Sequence, residues 1–201
     1  MEFLIKKQLK EAIGIKRTIL DFCVDSIVKA TELIYQAFKK GNKLLICGNG
    51  GSAADAQHIA GELVNKFRFD REPLPAIALT TDTSVISSIA NDSSFSFVFS
   101  KQIKALGKKG DILMVITTSD IELEENSHSS NLAMALKTAR KKGLETIGLV
   151  SIKSKKILKY LDVAIKIPSK DTPRIQEGHL LVEHIICDLI EQRLFKKKNR
   201  K

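Results

Sequence analysis

Tryptophan is absent from this chain of 201 residues, and aromatic residues make up only 5% of it. Stacking platforms for single-stranded nucleic acid are therefore scarce. No apolar run reaches the length that a membrane-spanning helix needs. The opening stretch, MEFLIKKQLKEAIGIKRTILDF, alternates charged and apolar residues, so it lacks the uninterrupted apolar segment of a signal peptide. The three cysteines, Cys23, Cys47 and Cys187, lie in apolar segments and form no C-x-x-C pair. An odd, scattered set of thiols excludes a disulfide framework and points to a reduced, cytoplasmic protein. Internal repeats are missing too, and low complexity is confined to the basic end.

What is present is charge. The chain carries a formal net charge of +10. Lys196, Lys197, Lys198, Arg200 and Lys201 supply half of it beyond the last apolar residue, Phe195. That pattern reads as a solvated tail, residues 196–201, with neither nucleic acid nor membrane expected as a partner. The surplus also favours an anionic substrate. The length suits one well-buried core.

Residues 1–40 read as a helical segment. Its apolar positions (Leu4, Ile5, Leu9, Ala12, Ile13, Ile15, Ile19, Leu20, Cys23, Val24, Ile27) recur at helical spacing. Gly14 is the expected interruption, so one helix or two are both open. So much apolar face points to packing against another subunit. From 41 to 195, short apolar runs alternate with amphipathic stretches. Strands are expected at 43–47, 76–79, 112–117, 146–150 and 163–167. Helices are expected at 53–66, 83–91, 95–106, 130–142, 153–160 and 174–195. Such alternation implies right-handed crossovers and a doubly wound, parallel, five-stranded α/β sheet. Ligands of these sheets bind beyond the carboxyl ends of the strands, where strand order switches.

The most informative stretch is LICGNGGSAADAQHIA, residues 45–60. An apolar strand runs into Gly48-Asn49-Gly50-Gly51-Ser52, and a helix follows with His58 and Glu62 on one face. Glycines admit a ligand close to the backbone, and free N–H groups at a helix start favour an anion. Gly48-x-Gly50-x-x-Ala53 also fits the dinucleotide fingerprint, but its ribose-binding acid belongs at the end of the second strand about twenty residues later, and the second strand here ends much later, at Asp82. Near the C-terminus, Arg174, Gln176, Glu177, His179, Glu183 and His184 interrupt a helix rich in Leu, Val and Ile. Gln176 and His184 differ by about 80° around its axis. Two imidazoles, a carboxylate and an amide oxygen can hold Zn²⁺. Periodicity ranks neither Gln176 over Glu177 nor His184 over His179. A second anion cradle follows the third strand, where Thr117, Thr118 and Ser119 lead to Ser127, Ser129 and Ser130.

Together, GNGGSAADAQHIAGE, PAIALTTDTSVISSIAND, the TTS turn and TPRIQEGHLLVEHII resemble the sugar isomerase (SIS) domain family, and within it the phosphoheptose isomerases. The resemblance spans about 41–195 and implies a flavodoxin-like SIS sheet behind a helical preface. It implies conversion of sedoheptulose 7-phosphate to D-glycero-D-manno-heptose 7-phosphate. That step opens nucleotide-activated heptose synthesis for bacterial lipopolysaccharide or capsule. It also implies a homotetramer with shared active sites and one Zn²⁺ per subunit, held by His58, Glu62, Gln176 and His184. Substrate contacts carry over to Asn49, Gly50, Gly51, Ser52, Asn91, Asp92, Thr117, Thr118, Ser119, Ser129 and Gln176. Glu62 and His184 carry over as the proton-transfer pair of an enediol pathway.

Two departures stand out. Thr117-Thr118-Ser119-Asp120 replaces the family's Ser-Thr-Ser-Gly, and an acidic segment, Asp120 to Asn126, is inserted before the next helix. Negative charge beside the cradle weakens anion binding unless it points away. Two alternatives follow: an isomerase of another sugar phosphate, or a non-catalytic SIS regulator that binds a replication-initiation protein. Such regulators tend to lose the acid and the histidine that Glu62 and His184 retain here.

Overall fold

The computed structural model describes residues 1–127 and 129–196. Of the expected basic tail, Lys197 to Lys201 lie outside these residues. Two helices open the chain, α1 (Glu2–Phe22) and α2 (Val24–Lys39). Their break falls at Cys23 and not at Gly14, which sits inside α1 with open space around it. Beyond them β1 (Leu44–Gly48), α3 (Gly51–Val64), β2 (Ala76–Ala78) and α4 (Thr83–Asp92) form the first half of the sheet domain. A 3₁₀ turn (Phe95–Phe97) leads into α5 (Val98–Leu106), β3 (Ile112–Ile116) and α6 (Ser130–Lys142). Then come β4 (Glu145–Ser151), β5 (Val163–Ile167) and the long α7 (Thr172–Phe195), with Pro173 in its first turn.

All four strand pairings are parallel, in the order β2-β1-β3-β4-β5. Because the chain leaves β1 toward β2 and later returns to its other side as β3, strand order reverses between β1 and β3. The loops after these two strands therefore flank the crevice where such sheets bind ligands. The strands are apolar throughout because both faces are covered. Leu44, Ile46, Met114, Leu149 and Ile165 face a core shared with the end of α1, α2, α3 and α7. Leu45, Cys47, Leu113, Val115 and Val150 face a second core under α5 and α6. Burying each such side chain is worth about 1.5–3 kcal/mol. All three thiols are free and buried. Among the described residues no helix is long and apolar enough to cross a membrane.

The helix expected over 153–160 does not form; only Leu158–Tyr160 makes a 3₁₀ turn. Side chains take the amides that a helix would use. Lys153 N–H donates to Ser151 Oγ, and the Asp120 carboxylate accepts from the amides of Lys155, Lys156 and Ile157. One helix start also moves. Helix α3 starts at Gly51, two residues before Ala53, because Gly50 turns the chain with φ +56°. Gly48 allows this turn, since a Cβ there would lie 2.6 Å from the Ser52 carbonyl oxygen.

Candidate metal and substrate site

Helix α3 leaves the Gly48–Gly51 turn carrying His58 and Glu62 one turn apart, and α7 packs alongside it. Of the two histidines on α7, one reaches the α3 pair. His184 meets the α3 pair: its Nε2 lies 2.8 Å from His58 Nε2, and His58 Nε2 lies 3.7 Å from Glu62 Oε1. One donor atom from each of the three residues lies within 4.8 Å of the other two. His179 instead turns inward, fully buried, with Nε2 3.3 Å from the Val150 carbonyl. Burial outweighs that contact and lowers its pKa to about 4, so it stays neutral. Glu177 turns outward to pair with Arg174 at 2.9 Å. Gln176 lies over Gly51, where an added Cβ would meet its Nε2 at 2.2 Å, and its amide hydrogen-bonds Asp55.

This donor set fits zinc. Two imidazole nitrogens and a carboxylate oxygen are its common ligands, and tetrahedral bonds of about 2.0–2.1 Å need only a slight widening of the histidine pair. The His184 ring is held from outside. Phe67 stacks on His184 with centroids 5.6 Å apart and planes 26° apart, and the two imidazoles meet edge-on. The Phe67 loop is fixed in turn by Glu191, which accepts from the amides of Phe67, Arg68 and Phe69 and from Arg71 Nε. Burial raises the Glu191 pKa, but these donors outweigh it and hold the carboxyl below its usual range. Arg71 also donates to the carbonyls of Glu62, Leu63, Asn65 and Glu72, so it ties the end of α3 to α7.

The remaining site residues fall around the crevice. Asn49, at the end of β1, exchanges two amide hydrogen bonds of 3.0 and 2.8 Å with Asn131 at the start of α6. Asn49 and Ser129 line one cavity of about 440 Å³. Ser129 holds a left-handed backbone, with φ +57°. Thr117 is buried, and its hydroxyl donates to the Ser119 carbonyl within the turn after β3. Ser52 is buried beneath the Gly50–Gly51 turn. Asn91 and Asp92 end α4, exposed and bonded to each other at 3.0 Å; neither lines that cavity. His184 opens on a different cavity, about 600 Å³, between α1 and α7.

Asp120, expected to put charge beside the cradle, is turned to the connection after β4. Its carboxylate accepts from Lys155, Lys156 and Ile157 at 2.9–3.4 Å, and these amides overcome burial to lower its pKa. Ile121 is buried in the second core, and Glu122 pairs with Lys156. The reading from sequence gave no role to Asp55, Phe67, Arg71, Asn131 or Glu191. Glu183 was noted there only as one polar residue among several on the last helix. In the structure it is fully buried, and among the described residues neither carboxylate oxygen has a hydrogen-bond partner. Burial, and then the charge of Asp55, push its pKa up to about 8. Only the apolar surroundings of Glu183 in sequence hinted at this.

The SIS domain family model matches residues 9–151. The chain is 45% identical to phosphoheptose isomerase of Clostridium acetobutylicum over 200 residues, covering 98% of each. It is 47% identical to that of Trichlorobacter lovleyi over 195 residues, covering 97% of this chain and 96% of that one. Among solved structures it is similar to phosphoheptose isomerase of Neisseria gonorrhoeae, with a TM-score of 0.86, 40% identity and coverage of 95% of this chain and 98% of that one. The corresponding structure from Francisella tularensis gives a TM-score of 0.87 at 35% identity, covering 94% and 96%.

Proposed function

The chain belongs to the SIS domain family, and within it to the phosphoheptose isomerases, and on that premise we propose that it converts sedoheptulose 7-phosphate to D-glycero-D-manno-heptose 7-phosphate. The observation that carries this reading is the meeting of His58, Glu62 and His184 from two helices. In this reading His58, Glu62, His184 and Gln176 hold one zinc ion per subunit. A metal bound there would supply stabilisation of the negative charge that develops on the substrate oxygens. Glu62, freed from the metal during turnover, takes a proton from C1 of the ketose, and an enediol forms as the C2 oxygen gains a proton from His184. Proton return to C2, with loss of the O1 proton to His184, leaves the aldose. Asn49, Gly50, Gly51, Ser52, Asn91, Asp92, Thr117, Thr118, Ser119 and Ser129 hold the sugar phosphate.

A homotetramer with shared active sites completes the proposal. Its support is the flank of α1, where Phe3, Leu4, Leu9, Ile13 and Leu20 are exposed although apolar, and the cavity that joins this helix to His184. The cytoplasm is the expected compartment, and activated heptose for surface polysaccharide the expected product line. Incubating the purified protein with sedoheptulose 7-phosphate, with and without a chelator, tests the reading, with elemental analysis alongside. Product that disappears with the chelator and returns with zinc supports it. No product from metal-loaded protein overturns it, and a panel of other sugar phosphates then tests the second reading, which the remodelled loop after β3 favours.

A further inference from the structure

We propose that Asn126, the last residue of the inserted segment, is an additional phosphate-binding and selectivity residue, supplied by the insertion. This inference rests on the sugar-phosphate reading of the site. Asn126 lines the cavity of about 440 Å³ together with Asn49 and Ser129. Its backbone takes the left-handed conformation, φ +62°, which asparagine tolerates better than most residues. A chain of hydrogen bonds then engages its amide oxygen. Ser94 Oγ accepts from the Ser96 amide at 3.1 Å, and Ser96 Oγ accepts from the Asn126 amide at 2.9 Å. Each hydroxyl keeps its hydrogen to donate, and both serines donate to Asn126 Oδ1, Ser96 at 3.4 Å. Ser130 Oγ lies 2.7 Å from Ser96 Oγ and extends the chain to the first residue of α6.

With Oδ1 taken up by the two hydroxyls, the N–H pair on Nδ2 is what Asn126 offers a ligand. An amide donor beside Ser129, at the start of a helix, suits a phosphate oxygen. The rest of the insertion explains how a neutral donor reaches this place from an acidic segment. Asp120 and Glu122 are engaged with residues 155–157, and Ile121 is anchored in the core, so only Asn126 is delivered to the cavity.

The test measures inorganic phosphate binding by calorimetry and the KM and kcat for sedoheptulose 7-phosphate, in the wild type, Asn126→Gly and Asn126→Asp. Glycine keeps the left-handed turn and deletes only the side chain. Aspartate keeps the shape and brings a like charge to the phosphate. Asn126→Gly is expected to weaken phosphate binding and raise KM about tenfold, with kcat within about twofold. Asn126→Asp is expected to weaken both about a hundredfold or more. Phosphate binding that is unchanged in both variants overturns the inference and leaves Asn126 as a loop lock. Loss in the glycine variant but not in the aspartate variant also overturns it, since the partner is then a hydroxyl. A wild type that binds no phosphate overturns it as well. If the wild type binds phosphate, the variants lose it and sedoheptulose 7-phosphate is not turned over, then the inference stands while the isomerase reading falls.

Discussion

His58 and His184 face each other through their Nε2 atoms at 2.8 Å, although 126 positions separate them in the chain. At that distance one ring donates a hydrogen to the other, and a cation held there would take up both lone pairs instead. The neighbouring Glu62 is the side chain placed to join either arrangement. Glu62→Gln is therefore expected to keep the fold and lower kcat by at least about a hundredfold, with weaker zinc retention. Steady-state kinetics and metal analysis check this, and retained turnover removes Glu62 from the mechanism.

Gly51→Ala is a probe of Gln176 at a distance. The new methyl would lie 2.2 Å from Gln176 Nε2, so the amide must leave its place over the turn. Zinc affinity is expected to fall about 10–100-fold, with an unfolding midpoint within a few degrees of the wild type, because alanine suits a first helical turn. A competition titration with a chromogenic chelator reads the affinity.

The Arg71–Glu191 pair is buried almost completely, with side chains 1% and 0% exposed. Removing one partner strands the other charge, so Glu191→Gln and Arg71→Met are each expected to lose about 3–5 kcal/mol in urea unfolding. The pair also sets an acid limit. A carboxyl held below its unfolded pKa stabilises the fold above the unfolded value and loses that contribution as pH falls through the folded one. Asp111 and Asp120 act in the same direction.

Glu183 has the opposite sign. Its pKa rises from 4.5 to about 8 on folding, so the fold is favoured below 4.5 and progressively loses that advantage as pH climbs to 8. Asp55, also raised, adds to the same trend. Glu183→Gln removes the charge and keeps the shape. The variant is expected to gain stability over the wild type as pH rises from 5 to 8, measured by urea unfolding at several pH values. An unchanging difference between the two proteins would refute the assignment.

Much of this architecture was legible in the sequence because its signals are periodic or local. The apolar strands, the glycine turn and the α7 helix depend on neighbours in sequence, and they form within one or two residues of expectation. The 153–160 segment failed for a reason no window can hold: its amides are taken by Asp120, more than thirty residues away. The site divides the same way. His58 and Glu62 share a helical face and could be paired by counting. Choosing His184 over His179 required knowing which side of α7 meets the sheet. Arg71 and Glu191 had no signal, since a buried ion pair between a loop and a distant helix leaves no period in the chain.

The three thiols give this protein a clock of its own opening. Cys47 and Cys187 lie within the two cores, and burial pushes all three pKa values upward, so little thiolate exists in the native state. An alkylating reagent at neutral pH must wait for the sheet to come apart. Labelling at Cys47, which sits in β1 between two paired strands, times the opening of the whole domain. Labelling at Cys23, between the first two helices, times their detachment. The ratio of the two rates measures how independently the helical preface lives from the sheet it covers.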